Sequence, residues 1–244
     1  AGNHVISLSV TTSNNCTDLV TRNIIVDSVK ANFSIVKNKF CGDTARVQFN
    51  STSGARFNIV KYEWFFGDNT TSLLQNPPHT YQQPGIYDIK LVVTSEHGCT
   101  DTIIKTGAVE IYPNPVASFA GNDVHCKPGS QTYISNSTSI DPITQYEWKV
   151  NGIVAGAGNT VNYNFSPAGL YTVALKVTTD KGCAIDSIRN IIVDSVKAAF
   201  KIINPKICGD TGTVRFQNLS GSRFGNLSYQ WNFGDGKTST STDP

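Results

Sequence analysis

Methionine is absent from this 244-residue sequence and charge is sparse: 20 basic against 18 acidic side chains, 16% charged residues and a net charge of +2. So even a balance gives no electrostatic footprint for nucleic acid or an anionic membrane surface as a partner. No uninterrupted apolar stretch approaches the ~18 residues that a spanning helix needs, so no membrane span is expected in this window. Yet 39% hydrophobic residues are too many for a disordered polyelectrolyte. The six cysteines lack any C-x-x-C spacing and the four histidines any H-E-x-x-H spacing. That argues against a zinc site and for disulfides made in an oxidising, extracellular compartment. Without a G-x-S-x-G or gathered histidines no hydrolytic triad is assembled, and the sequence reads as non-enzymatic and without a cofactor. No signal peptide precedes Ala1, so the chain is expected to be a piece of something longer.

What the sequence does hold is 20 glycines and 10 prolines among many Thr, Ser, Asn and Val. β-Branched residues suit a pleated surface, while Gly, Asn and Pro suit turns. An all-β chain of short strands is therefore expected.

The sequence also repeats itself. RNIIVDSVKA at Arg22–Ala31 recurs intact at Arg189–Ala198, and CGDT at Cys41–Thr44 recurs at Cys208–Thr211, an offset of 167. A weaker half-repeat aligns Ile86–Cys99 with Leu170–Cys183, and both with His4–Cys16. A unit of about 83 residues is thus tiled along the chain. The expected domains are the end of one unit at 1–27, whole units at 28–113 and 114–194, and the start of another at 195–244. Their junctions are short and strand-like, unlike free Gly/Ser linkers, which predicts an extended, stiff rod.

Period-two alternation is clear at Val47, Phe49 and Ser51, at Tyr62, Trp64 and Phe66, and at Tyr87, Ile89, Leu91 and Val93. Phe66-Gly67-Asp68-Asn69 and Phe233-Gly234-Asp235-Gly236 end such strands as turns. Tyr62–Cys99 resembles the PKD (polycystic kidney disease) domain family, whose pattern runs W-x-F-G-D-G, N-P, H-x-Y, P-G-x-Y. Tyr229–Pro244 repeats its first half. The unit 114–194 keeps Tyr146, Trp148, Pro167, Gly169 and Tyr171 but has Val150-Asn151-Gly152 in place of the F-G-D-G turn. The resemblance implies tandem immunoglobulin-like sandwiches of two antiparallel sheets, with Trp64, Trp148 and Trp231 facing the core.

Aligned by unit, Cys41, Cys126 and Cys208 stand before the second strand, and Cys16, Cys99 and Cys183 in the hairpin between the last two. Pairing within a unit would join Cys41 with Cys99 and Cys126 with Cys183. In an immunoglobulin-like sandwich, however, those positions lie at opposite poles, roughly 25 Å apart for a strand of eight residues, against the ~7 Å that a disulfide spans between Cα atoms. Units stacked end to end would instead bring Cys41 to Cys183. The preferred expectation is therefore an inter-domain Cys41–Cys183 bridge, with Cys16, Cys99, Cys126 and Cys208 seeking partners outside the window.

The remaining polar residues read mainly as structural. His79 is expected to hydrogen-bond a turn, and His4, His97 and His125 to lie on the surface. Asp43, Asp68, Asp101, Asp210 and Asp235 could offer oxygen ligands to calcium, but no D-x-D-x-D-G loop gathers them, and they read first as turn formers. Asp-Ser/Thr-aliphatic triplets at Ser28, Thr44, Thr102, Ser187 and Ser195 resemble O-glycosylation sites of Bacteroidota.

The repeat style, with Cys before Gly-Asp and Gly-Cys after the late strand, resembles PKD arrays of Bacteroidota cell-surface proteins, including gliding-motility adhesins exported by the type IX secretion system. The function expected first is therefore a stalk segment of a long extracellular filament or adhesin, used for attachment or gliding. Its partners would be neighbouring PKD units, lateral copies or surface glycans. The alternative is a spacer or substrate-contact module of a secreted protease or polysaccharide hydrolase.

Overall fold

The structure, a computed structural model, describes residues 2–203, 205–206 and 212–244. The chain divides into two compact units, Ala1–Asn114 and Pro115–Pro244. Among the described residues all regular structure is β.

The first unit opens with a hairpin, β1 (Gly2–Thr11) and β2 (Thr17–Val26), in continuous antiparallel register from Gly2↔Val26 to Thr11↔Thr17. It is followed by β3 (Val29–Lys30), β4 (Phe33–Ile35), β5 (Lys39–Cys41), β6 (Ala45–Ser51), β7 (Gly54–Ala55), β8 (Ile59–Phe65), β9 (Thr71–Ser72), β10 (Pro78–Tyr81), β11 (Gly85–Ser95) and β12 (Thr100–Tyr112). These strands form a sandwich: a three-stranded sheet β10-β6-β4 faces a five-stranded sheet β5-β12-β11-β8-β9, and β3 pairs with β7.

Alternation decides what is buried. Along β11, Ile89, Leu91 and Val93 are fully buried, and they meet Val47 and Phe49 of β6 and Trp64 of β8 in one core. Full burial of a side chain of this kind stabilises by about 1.5–3 kcal/mol, so a strand with three inward apolar residues anchors its sheet. At the centre Trp64 meets Phe33 edge-on at 5.3 Å and Phe49 at 5.6 Å, and its indole N–H donates to the Leu74 carbonyl at 2.9 Å.

The second unit repeats the plan with β13 (Phe119–Ala120), β14 (Val124–His125), β15 (Gly129–Ser135), β16 (Ile143–Val150), β17 (Ile153–Ala157), β18 (Thr160–Phe165), β19 (Gly169–Thr179) and β20 (Ala184–Val193). Sheet β13-β15-β18 faces sheet β14-β20-β19-β16-β17, around a core of Tyr133, Trp148, Phe165, Val173, Leu175, Val177, Ile191 and Val193. Both sandwiches set their tryptophan opposite the same leucine position, Trp64↔Leu91 and Trp148↔Leu175.

Beyond β20 lie β21 (Val196–Lys197), β22 (Phe200–Ile202), β23 (Phe216–Asn218), β24 (Gly221–Ser222), β25 (Trp231–Asn232) and β26 (Thr238–Ser239), which pair two by two as β21-β24, β22-β23 and β25-β26. Phe200 and Phe216 stand 5.3 and 5.6 Å from Trp231, the same spacings as around Trp64. Trp231 itself is only half-buried, short of the core position expected of it, because no described strand lies across it as β11 lies across Trp64.

The two sheets are not wholly antiparallel, as the resemblance implied. β5 runs parallel to β12 (Phe40↔Ile111) and β14 parallel to β20 (Val124↔Ile192). The segment that starts as β4 in the small sheet keeps its heading while crossing over at 36–38 to become β5 in the large one. It therefore lies alongside the last strand in the same direction.

Candidate functional site

The poles of the sandwich carry the features that a tandem module can use. In the first unit the chain passes into the sandwich beside the β11–β12 turn, where the Ala31 amide donates to Asp101 Oδ2 at 2.7 Å. It leaves at the far end of β12, where Tyr112 pairs with Cys41 and the Gly42 amide donates to the Tyr112 carbonyl at 3.0 Å. Cys99 thus marks the upstream pole and Cys41 the downstream one. The second unit has the same sense: Cys183 sits in the β19–β20 turn, its amide donating to Thr179 Oγ1 at 3.2 Å. Cys126 follows β14 at the end of β20, where the Asp194 amide donates to the His125 carbonyl at 2.7 Å.

Cys41 and Cys183 are each disulfide-bonded, whereas Cys16, Cys99 and Cys126 are free thiols. The structure thus pairs neither Cys41 with Cys99 nor Cys126 with Cys183. Geometry supplies the reason: the 13 residues of β12 separate Cys99 from Cys41 and the 10 of β20 separate Cys183 from Cys126. At ~3.3 Å per residue these distances are about 40 and 30 Å, far beyond the reach of a disulfide. Cys208 and Asp210 lie outside the described residues.

The turn after β8 is a second constellation. Gly67 takes φ +83° and Asn69 φ +66°, which sends the chain back so that Asp68 meets His79 of β10. The Asp68 Oδ2 to His79 Nε2 distance is 2.7 Å, and the Thr70 hydroxyl donates to Asp68 Oδ1 at 2.5 Å. His79 stacks on Phe66 at 4.1 Å, and the buried Tyr81 hydroxyl donates to the Phe66 carbonyl at 3.0 Å. Burial pushes the Asp68 carboxyl up. The Thr70 hydroxyl, His79 and the Thr70 amide outweigh it and hold the group below the ordinary aspartate value.

A carboxylate with a depressed folded-state pKa adds stability at pH values above its unfolded pKa near 4, and that stability is lost as acid titrates it in the fold. Unfolding midpoints of Asp68→Asn and the parent, measured between pH 7 and pH 2, are therefore expected to converge below about pH 4. Curves that stay parallel throughout would rule out this role for the pair.

Other sequence candidates fall as follows. Trp64 and Trp148 are fully buried, as are Tyr81 and Tyr133. His125 is buried, against the surface position expected of it. Its Nε2 lies 3.1 Å from the Tyr133 hydroxyl, and its ring stacks on Phe165 at 5.8 Å. Ser28, Thr44, Thr102 and Ser195 are exposed and Ser187 is half-buried. Among the described residues no group of three or more His, Cys, Asp or Glu side chains is placed to hold a metal ion. Asp68 and Asp101 are instead engaged in the turn and pole contacts above. Sequence reasoning missed Asp27, whose Oδ1 accepts the Ser28 amide at 2.6 Å and whose Oδ2 lies 3.5 Å from His97 Nδ1. Its recurrence as Asp194 within the repeated RNIIVDSVKA segment was the available signal.

No helix among the described residues is long and apolar enough to cross a membrane. The pre-pro-metalloprotease PrtV of Vibrio cholerae is 30% identical over 133 residues, 54% of this chain and 14% of PrtV. Collagenase ColA of Bacillus cereus is 39% identical over 54 residues, 21% of this chain and 6% of that protein. The chain therefore spans only a small part of these curated relatives. Among solved structures, the PKD1 domain of the V. cholerae metalloprotease PrtV is 33% identical and covers 33% of this chain and 94% of its own, with a TM-score of 0.29. Residues 31–111 and 112–193 each match the PKD domain family, a family of non-catalytic modules, and since these two matches take in more than half of the sequence, the chain belongs to it.

Proposed function

We propose that this chain is an extracellular spacer, a tandem of PKD sandwiches that sets distance and contact for the working part of a secreted protease. The observation that carries this reading is the company its units keep: the relatives that share them are a metalloprotease and a collagenase. Two whole sandwiches in tandem, each with its own core, suit a module that separates and presents other domains. The test is co-sedimentation of the 244-residue chain with insoluble collagen fibrils. A substrate-contact module is expected to partition with the fibrils, and a chain left in the supernatant at every fibril concentration would reject the contact role.

The repeat at an offset of 167, in which RNIIVDSVKA and CGDT recur intact, supports a second reading, a stalk of many such units in a long surface filament. Further copies of that period in the same polypeptide would favour the stalk, and a catalytic domain within a few hundred residues the protease.

Either use needs joints that resist bending, and we propose that Cys41 and Cys183 bond to each other to clamp one. Three observations support this. Both cysteines are oxidised, Cys99 and Cys126 are not, and in each sandwich the chain passes from the Cys99 or Cys183 pole to the Cys41 or Cys126 pole. Non-reducing peptide mapping is expected to recover a linked Cys41/Cys183 peptide. A linked Cys41/Cys99 peptide would end the clamp.

A further inference from the structure

The upstream pole of the first whole unit encloses a carboxylate that comes from outside the unit. Asp27 lies one residue beyond β2, in the linker that closes the preceding repeat, and its side chain is only 2% exposed. Oδ1 accepts the Ser28 amide at 2.6 Å, while Oδ2 lies 3.5 Å from Nδ1 of His97 in the β11–β12 turn. The His97 ring meets Phe57 edge-on at 4.6 Å. Ser95, at the end of β11, does most to hold the Asp27 carboxyl below the ordinary aspartate value. A carboxylate out of water is costly unless partners compensate it, and apart from the Ser28 amide these partners belong to the repeat that follows.

The second whole unit fills the same place by another route. Its pole corresponds to the first residue by residue: Ser95 pairs with Ile59 as Thr179 does with Ile143, and the Glu96 amide donates to the Asn58 carbonyl as the Asp180 amide does to that of Pro142. Asp141 therefore stands at the position of Phe57, and Lys181 at that of His97. Phe33 and Phe119 correspond through their pairing with Ser51 and Ser135, which sets Pro113 at the position of Asp27. The linker carboxylate is gone, and one with a buried Oδ2 stands within the unit, on the loop that meets the same turn. The linker aspartate returns as Asp194, and it again serves the repeat that follows. It accepts the Ser195 amide at 2.7 Å, the Ser222 hydroxyl at 3.0 Å and the Arg223 and Phe224 amides at 3.1 Å. Ser222, Arg223 and Phe224 correspond to Ala55, Arg56 and Phe57 at the offset of 167.

We propose that Asp27 and Asp194 are delivered carboxylates: each is held by the pole of the repeat after it, and so stabilises that repeat and not the one it closes. Stability then passes from one repeat to the next in a single direction, as a nearest-neighbour contribution of the kind that couples tandem arrays. Bending the chain at 27–28 or at 194–195 has to draw a carboxylate out of its contacts. The linker Pro113-Asn114-Pro115 delivers none, and the unit it enters supplies Asp141 for itself. Neither the spacer role nor the Cys41–Cys183 clamp is needed for this coupling.

The test is hydrogen exchange by peptide mass spectrometry on the 244-residue chain, which reads each repeat separately. Asp27→Asn keeps the shape of the side chain and removes its charge. Peptides from 31–111 are expected to lose protection about tenfold, the size of effect that follows from weakening a hydrogen bond to a charged group, and those from 119–193 to keep theirs. Asp141→Asn should do the reverse. Asp194→Asn gives the direction: exchange at 222–224 is expected to quicken, while 119–193, whose last strand Asp194 directly follows, stays as protected as in the parent. His97→Gln separates delivery into the pole from the local bond to the Ser28 amide. Combined with Asp27→Asn it is expected to cost no more than the larger of the two single losses, since both remove one contact. Unchanged protection of 31–111 in Asp27→Asn would overturn the proposal. So would a loss in 119–193 on Asp194→Asn, which would mean that the aspartate serves its own unit, and so would losses at Asp27 and His97 that simply add.

Discussion

Replacing Trp64 by alanine is expected to destabilise residues 31–111 selectively, at a cost of about 3–5 kcal/mol. Trp64 is fully buried and touches both sheets: it lies in β8 of the large sheet and packs on Phe33 and Phe49 of the small one. Its removal takes away the transfer energy of the ring and leaves a cavity that two opposed sheets close only in part. It also leaves the Leu74 carbonyl without its indole donor. A domain of this size is stable by only about 5–15 kcal/mol, so the loss is a large share of the total. Trp64→Phe should cost less, because it keeps a ring between the sheets and forfeits the N–H. The measurement is hydrogen exchange by peptide mass spectrometry, which reads the two units separately. Peptides from β6, β8, β11 and β12 are expected to lose protection by a factor of 10² or more, the equivalent of about 3 kcal/mol at 1.4 kcal/mol per tenfold change. Peptides from β15, β16, β19 and β20 are expected to keep theirs. A loss under tenfold would show that the indole is not what holds the sheets together.

Much of this architecture was legible in the sequence, because a strand that buries one face writes itself as alternation. Ile89, Leu91 and Val93 announced β11, and the aromatic residues at 62, 64 and 66 announced β8. What escaped were features too short or too distant to carry a period. Lys39–Cys41 and Val124–His125 are strands of three and two residues, and nothing in so few positions tells a parallel edge from a loop. His125 was unreadable for the same reason: its burial comes from the Tyr133 hydroxyl and the Phe165 ring on other strands. At the poles the cysteine positions were legible, since a polar turn between two apolar strands places Cys99 and Cys183 at one end. The Asp27–His97 contact was not, because it joins a segment between strands to a turn 70 residues away.

The turn between β8 and β9 gives the second large effect, and the molecule contains its own control. Gly67 and Gly152 lie in the bends that follow the tryptophan strands of the two whole units, one position apart in register, since Gly67 aligns with Asn151, and both take a left-handed φ, +83° and +80°. An L-side chain in the left-handed region costs roughly 1–2 kcal/mol, and that cost should appear in both alanine variants. Their surroundings differ. A Cβ on Gly152 meets nothing within 4 Å, whereas a Cβ on Gly67 lies 2.8 Å from the Asp88 carbonyl oxygen and 3.2 Å from the Asp88 nitrogen. Those are main-chain atoms of β11, next to the bulge between Tyr87 and Ile89, and they cannot rotate away as a side chain would. The first bend therefore has to shift, which adds about 1–3 kcal/mol of overpacking strain. Gly67→Ala is expected to destabilise its unit at least twice as much as Gly152→Ala does its own, read as urea midpoints of the parent and each variant. Asparagine separates the two contributions, since it tolerates the left-handed region but still carries a Cβ. Gly152→Asn should be close to neutral, and Gly67→Asn should remain costly. Equal losses at the two sites would mean that β11 yields to the added carbon, and that the F-G-D turn needs its glycine for backbone conformation alone.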